Sequence, residues 1–164
     1  MTLYIGIDQS YTSTGYVVTD ENSTVIDSEI IRTTKEIDEF ERVWFVSQKL
    51  INVIHQYKPD IVVIEGLAFG SRGDATRKLA GLQFVIITQL RYNCEHKCPI
   101  HIVPPTTLKK FATTSGKAKK EQMLQSVPID VKEQFQKMYK KSKGLYDIVD
   151  AYFLSQYAIM LSNK

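Results

Sequence analysis

The chain opens with short apolar blocks separated by polar turns and then changes to helical spacing. Leu3–Asp8 is an apolar run that stops at an acid. Ser13–Thr19 follows the turn Gln9-Ser10-Tyr11-Thr12, and Thr24–Arg32 follows the polar turn Asp20-Glu21-Asn22-Ser23. Connections this short join antiparallel neighbours, so these three runs predict a β-meander. From about Glu36 to Tyr57 the period lengthens, with Phe40, Val43, Trp44, Leu50, Ile51 and Ile54 on one helical stripe, until Lys58-Pro59-Asp60 ends it. Ile61–Ile64 has no polar alternation, the pattern of a strand buried on both faces beside a parallel neighbour. After a loop from Gly66 to Asp74, Ala75, Leu79, Leu82, Ile86 and Leu90 mark a second amphipathic helix. A fifth strand, Ile100–Val103, ends at Pro104-Pro105. The remainder reads as helical: a short piece near Leu108, then Lys120–Ser126, Asp130–Lys141 and a closing helix from about Leu145 to Leu161. The order β-β-β-α-β-α-β-α predicts an α/β fold, a five-stranded mixed sheet with helices on both faces and strands one and four adjacent.

Four acids stand out against this pattern. Asp8 ends the first strand and Glu65 ends the run Ile61-Val62-Val63-Ile64. If strands one and four are neighbours, both carboxylates gather at the carboxyl ends of the strands, where sheets of this kind place ligand chemistry. Asp147 and Asp150 are three residues apart, a spacing that puts them on one helix face, among the apolar Ile148, Val149, Tyr152 and Phe153. Singly, each acid has an ordinary explanation as a turn residue, a core acid or a solvated helix face. Together they form an oxygen-only set of the kind that holds hard cations such as Mg²⁺. Two such ions side by side clamp a phosphodiester for in-line hydrolysis, which points to a metal-dependent nuclease.

Charge adds a location. The 164 residues carry a formal net charge of +3, but Thr107 to Lys143 holds ten lysines against three acids, so the basicity is concentrated in one segment. A polyanionic partner is compatible with such a segment, as is a solvated surface. With 43% hydrophobic and 24% charged residues, the composition excludes a disordered chain, and the length suits one domain, 1–164, without repeat or linker. No apolar stretch approaches the roughly 20 residues of a membrane span, and no export signal precedes the first strand, so a cytoplasmic location is expected. Cys94, His96, Cys98 and His101 have the residue types of a zinc site, but four ligands crowded into eight residues fit no usual spacing, and two reduced thiols in a loop is the simpler reading.

These motifs, taken in order, resemble the RuvC family of Holliday-junction resolvases, in the RNase H-like superfamily. The family opens on a strand reading apolar-Gly-apolar-Asp, followed by a hydroxyl-rich turn and a Thr-Gly pair, as in Ile5-Gly6-Ile7-Asp8 and Thr14-Gly15-Tyr16. Its second acid ends an apolar strand, as in Val62-Val63-Ile64-Glu65, and its last acids form an Asp-x-x-Asp-Ala block, as in Asp147-Ile148-Val149-Asp150-Ala151. Pro104-Pro105-Thr106-Thr107-Leu108-Lys109-Lys110 resembles its proline-opened helix, and Gly116-Lys117-Ala118-Lys119-Lys120 its basic turn. The resemblance implies an Mg²⁺-dependent endonuclease, with Mn²⁺ able to substitute, that cleaves Holliday junctions and other branched DNA as a homodimer. It implies that Asp8, Glu65, Asp147 and Asp150 hold two ions and that Lys109 and Lys120 sit beside the scissile phosphate. Phe69 becomes the candidate aromatic for insertion at the branch point, with Arg72, Arg77, Lys78, Lys117 and Lys119 as phosphate contacts.

Two departures from the family are visible. Gln9-Ser10 replaces the usual Pro-Gly, and Lys78-Leu79-Ala80-Gly81-Leu82-Gln83 follows the dimer-building helix only loosely. Such divergence suits a phage-encoded member that cuts branched DNA broadly without a helicase partner. Three other readings compete. One is an RNase H-like nuclease of YqgF type acting on structured RNA. Another is a junction-binding module with a dead site. Third, Gly6 to Thr14 resembles the first phosphate loop of sugar kinases and actin-like ATPases, which need two copies of this fold and well over twice this length. Four retained acids argue against the dead site, since clustered carboxylates repel unless a cation holds them.

Overall fold

The computed structural model describes residues 1–68 and 70–164. Its centre is a five-stranded sheet in the order β3-β2-β1-β4-β5. Strands β1 (Leu3–Asp8), β2 (Ser13–Asp20) and β3 (Val25–Arg32) form the expected antiparallel meander, while β4 (Ile61–Glu65) runs parallel to β1 and β5 (Ile100–Val103) parallel to β4. Side chains alternate across a strand. Ile5 and Ile7 therefore face one side with Val62 and Ile64, and Tyr4 faces the other with Val63. By the same parity Asp8, Glu65, Ser13 and Gly15 all belong to the Tyr4 side. The register pairs Ile7 with Ile64, so Asp8 and Glu65 follow side by side at the ends of adjacent parallel strands.

The Ile5–Ile7 face is covered by α1 (Glu39–Tyr57) and α2 (Asp74–Thr88), the latter continuing as a wider π-helical turn over Gln89–Asn93. Helix α1 begins later than the apolar pattern suggested because Asp38 caps it, accepting hydrogen bonds from the backbone N–H of Phe40 and Glu41. The expected stripe is also corrected. Val43, Val46, Leu50, Val53 and Ile54 are buried, whereas Phe40 is 80% and Trp44 51% exposed. Apolar residues occupy more than one flank of this helix, and periodicity alone cannot choose which flank meets the sheet.

The opposite face carries α6 (Leu145–Ser162), laid along β1, β2 and β4 and roofed by α3 (Pro105–Thr113), α4 (Lys120–Ser126) and α5 (Ile129–Met138). Enclosed between sheet and roof, α6 buries Leu145, Ile148, Val149, Ala151, Tyr152, Phe153, Leu154 and Ala158. The helix expected over Asp130–Lys141 stops at Met138, and Lys141–Lys143 forms a separate 3₁₀ turn closed by Gly144 at φ 104°. Two glycines let α6 approach. A Cβ on Gly6 would lie 2.0 Å from the Ala151 carbonyl oxygen, and one on Gly15 would lie 3.0 Å from that of Asp147. Among the described residues no helix is long and apolar enough to cross a membrane.

Candidate active site

Strand ends and helix meet at the top of the Tyr4 face. Asp8, Glu65 and Asp150 each offer a carboxylate oxygen, and the three oxygens lie within 4.8 Å of one another. All three residues are half-buried. Removal of water and the surrounding negative charges push the Asp8 carboxyl well above its ordinary value, and it shares a hydrogen bond with Glu65. Burial likewise raises Glu65, while that hydrogen bond and Lys109 pull it back. Asp150 is pushed up to about 7, first by burial and then by Glu65 and Asp147, with Lys120 and Lys109 opposing. Three carboxylates at this separation need either protons or a cation between them. An oxygen-only donor set, half-buried and flanked by two lysines, fits a hard divalent cation rather than a softer metal.

The spacing that predicts Asp147 and Asp150 on one helix face leaves about 60° between them. That angle separates their surroundings. Asp150 joins the β1–β4 pair, whereas Asp147 sits over β2 and accepts a hydrogen bond from the Ser13 hydroxyl at 2.7 Å. Its charge still reaches the cluster, raising Asp8, Glu65 and Asp150. Lys109 comes from α3 and Lys120 from the start of α4, where its ammonium lies 5.7 Å from the Tyr146 ring centre. Helix α3 is positioned by its own sequence: Pro104 is extended, Pro105 occupies the first turn where no N–H is missed, and Leu108 is buried.

Over Asp8 and Glu65 opens a cleft of about 220 Å³, bordered by Gln9, Ala68, Thr76 and Pro105. Gln9, one of the departures from the family pattern, is buried; its amide donates to the Glu65 carbonyl at 3.1 Å and anchors the strand-to-loop turn. Neither Gln9 nor Ser13 stood out as a site residue in the sequence, although the hydroxyl-rich turn and the close-approach glycine two residues beyond Ser13 carried a signal.

The other candidates are more dispersed. Arg72 is exposed in the loop after Glu65, and Phe69 of that loop lies outside the described residues. Arg77 is ion-paired with Asp74, and Lys78 with Glu39 at 3.4 Å and Asp74 at 3.6 Å, so both are engaged beside α1. Lys117 and Lys119 are exposed in the connection between α3 and α4. Of the zinc-like residues, Cys94 is buried against the α1–α2 core and the His96 ring bonds the Pro59 carbonyl at 2.7 Å.

The family model for crossover junction endodeoxyribonuclease RuvC matches residues 4–154, from the first strand to the last helix. The crossover junction endodeoxyribonuclease RuvC of Prochlorococcus marinus strain MIT 9211 is 29% identical over 128 residues, covering 76% of this chain and 78% of that protein. Among solved structures, Thermus thermophilus RuvC superposes with a TM-score of 0.74 at 17% identity, over 99% of this chain and 96% of that one. The same protein in complex with Holliday junction substrate gives 0.73, with the same identity and coverage. Motif order, sheet topology and family match agree, and the chain belongs to the RuvC family.

Proposed function

We propose that this protein is an endonuclease that cleaves four-way and other branched DNA by hydrolysis of the phosphodiester, using divalent cations, Mg²⁺ above all. The observation that carries the reading is the cluster of Asp8, Glu65 and Asp150, three carboxylate oxygens within 4.8 Å at the mouth of a cleft and flanked by Lys109 and Lys120. Bound divalent cations supply a water of lowered pKa and neutralise charge on the phosphoryl group. The chain's residues do the rest. Asp8, Glu65 and Asp150 would hold the ions, with Asp147 one turn away as the fourth acid, oriented by Ser13. Lys109 and Lys120 face the phosphate and offset the negative charge that would repel it. Family membership and the Holliday junction bound by the T. thermophilus relative support branched DNA as the substrate over structured RNA.

The chain acts as one domain in this reading and works as a homodimer. A two-fold junction requires paired nicks, and an isologous dimer supplies two sites related by the same symmetry. The self-complementary face of this reading lies on α2, where Phe84 is 75% exposed.

The deciding experiment mixes the protein with labelled four-way DNA, linear duplex and hairpin RNA, in Mg²⁺ or in excess chelator. Cutting of the four-way substrate only with metal is the expected result. Cutting that survives chelator, or preference for the RNA, would sink the assignment.

A further inference from the structure

The largest cavity among those described lies on the far side of Asp147 from the Glu65 loop, and its volume is about 480 Å³. It shares Ser13, Lys120 and Asp147 with the acid site, and the rest of its lining lies outside that site. Four cations line it, Arg32, Lys120, Lys141 and Lys143, against one acid, Asp147. Thr12, Ser13 and Thr33 also border it, the Ser13 hydroxyl donating to Asp147 and the Thr33 hydroxyl to the Tyr11 carbonyl. Sequence distance conceals this arrangement, because Arg32 ends β3 while Lys141–Lys143 is the 3₁₀ turn that interrupts the expected helix.

The groove is held in place. The Arg32 guanidinium donates to the Lys143 carbonyl, tying the strand end to the turn. Gly144 permits that closeness, since a Cβ there would lie 2.8 Å from the Ile30 side chain and its φ of 104° suits glycine alone. Lys141 is partly neutralised by Glu121 at 3.1 Å, whereas Lys143 has no ion-pair partner among the described residues. Two side chains join groove to acid cluster. Asp147 borders the groove and raises the cluster's carboxyls, and Lys120 borders the groove and draws Asp150 down.

We propose that this groove is a second phosphate-binding site, which grips the backbone of the cleaved strand beside the scissile phosphate through Arg32, Lys120 and Lys143. The inference rests on the proposed nuclease reading and adds to it a track for the strand as it passes Asp147. Four cations gathered against one acid suit phosphate oxygens, which accept hydrogen bonds from guanidinium and ammonium groups. Contacts of this kind are read by salt, because each phosphate neutralised releases condensed counterions and steepens the dependence of affinity on salt by about 0.7–0.9.

The test measures binding of four-way DNA in chelator across a salt series for wild type, Lys143→Glu, Arg32→Ala and Lys141→Ala. Lys49→Glu on the solvent side of α1 serves as control. Lys143 and Lys49 are both exposed, so neither change threatens the fold. Lys143→Glu is expected to weaken binding on the order of ten-fold and to flatten the salt slope by about one. Arg32→Ala should do the same, Lys141→Ala less because Glu121 already holds its charge, and Lys49→Glu nothing. Slopes equal to wild type in both Lys143→Glu and Arg32→Ala overturn the groove even if affinity falls, since a structural loss leaves the slope unchanged. Cutting by wild type on the same substrate with Mg²⁺ separates the two ideas: wild type that cuts while slopes stay fixed refutes the groove alone. Wild type that neither binds nor cuts refutes the nuclease reading and the groove with it.

Discussion

Asp150 keeps its proton up to about pH 7, against an ordinary 3.8, because burial and the neighbouring Glu65 and Asp147 disfavour its charge. In the unfolded chain the same carboxyl ionises near the ordinary value. Between the two, the folded state binds more protons, so without metal its stability falls as pH rises from about 4 to about 7. Asp150→Asn removes that loss. The variant should therefore be more stable than wild type at pH 8 in chelator, by on the order of 4 kcal/mol, and equal to it near pH 4. Thermal melts across this range check both ends, and a wild type that gained stability with rising pH would refute the argument. Activity should move the other way. Asp8→Asn, Glu65→Gln or Asp150→Asn should cut junctions at least 10²–10³-fold more slowly, while binding in chelator is kept or tightened because a repelling charge is gone. Ser13→Ala, which frees Asp147 rather than removing it, should cost about 10–100-fold. Asp8 and Glu65 were legible as a pair, because each ends an apolar strand and the two strands were expected side by side. The different settings of Asp147 and Asp150 were not, since a spacing of three is satisfied equally by two residues on one face and by two straddling its edge.

Helix α6 and strand β1 meet backbone to backbone, and Gly6 is the reason. A methyl group at this position would press on the Ala151 carbonyl at 2.0 Å and the Ser155 N–H at 2.4 Å, both rigid parts of the helix. Gly6→Ala should therefore destabilise the protein by about 3 kcal/mol or more, measured by urea unfolding, and should reduce cutting in the surviving folded fraction as Asp150 is lifted from Asp8. Wild-type stability in this variant would mean the two elements are not so tightly apposed. At this scale the strands and most helices followed from the pattern, and β4 was recognisable from its unbroken apolar run. The exposed flank of α1 was misread because Phe40 and Trp44 extend the apolar surface beyond what the sheet covers. The helix expected to reach Lys141 failed because Tyr139 takes an extended conformation, its hydroxyl bonded at β3 to Ser28.

For the whole molecule, the exposed apolar face of α2 becomes the test of assembly. Phe84→Glu places a charge on the exposed face of α2 and should leave a folded monomer, seen by sedimentation at micromolar concentration, that nicks one strand without the paired second cut. A dimer that persists would put the interface elsewhere. The topology itself was readable, since the order of strands and helices, with the unbroken apolar run of β4, set strand four beside strand one. The basic groove was not, because no local pattern joins position 32 to position 143. The position of α6 has one more consequence. Asp8 on β1 and Asp150 on α6 are far apart in the chain, yet they meet in one cluster where that helix packs on that strand. Contacts of such long range form late. The emerging chain therefore carries Asp8 and Glu65 without the partner that completes the cluster, and the site is assembled only once α6 has left the ribosome and docked.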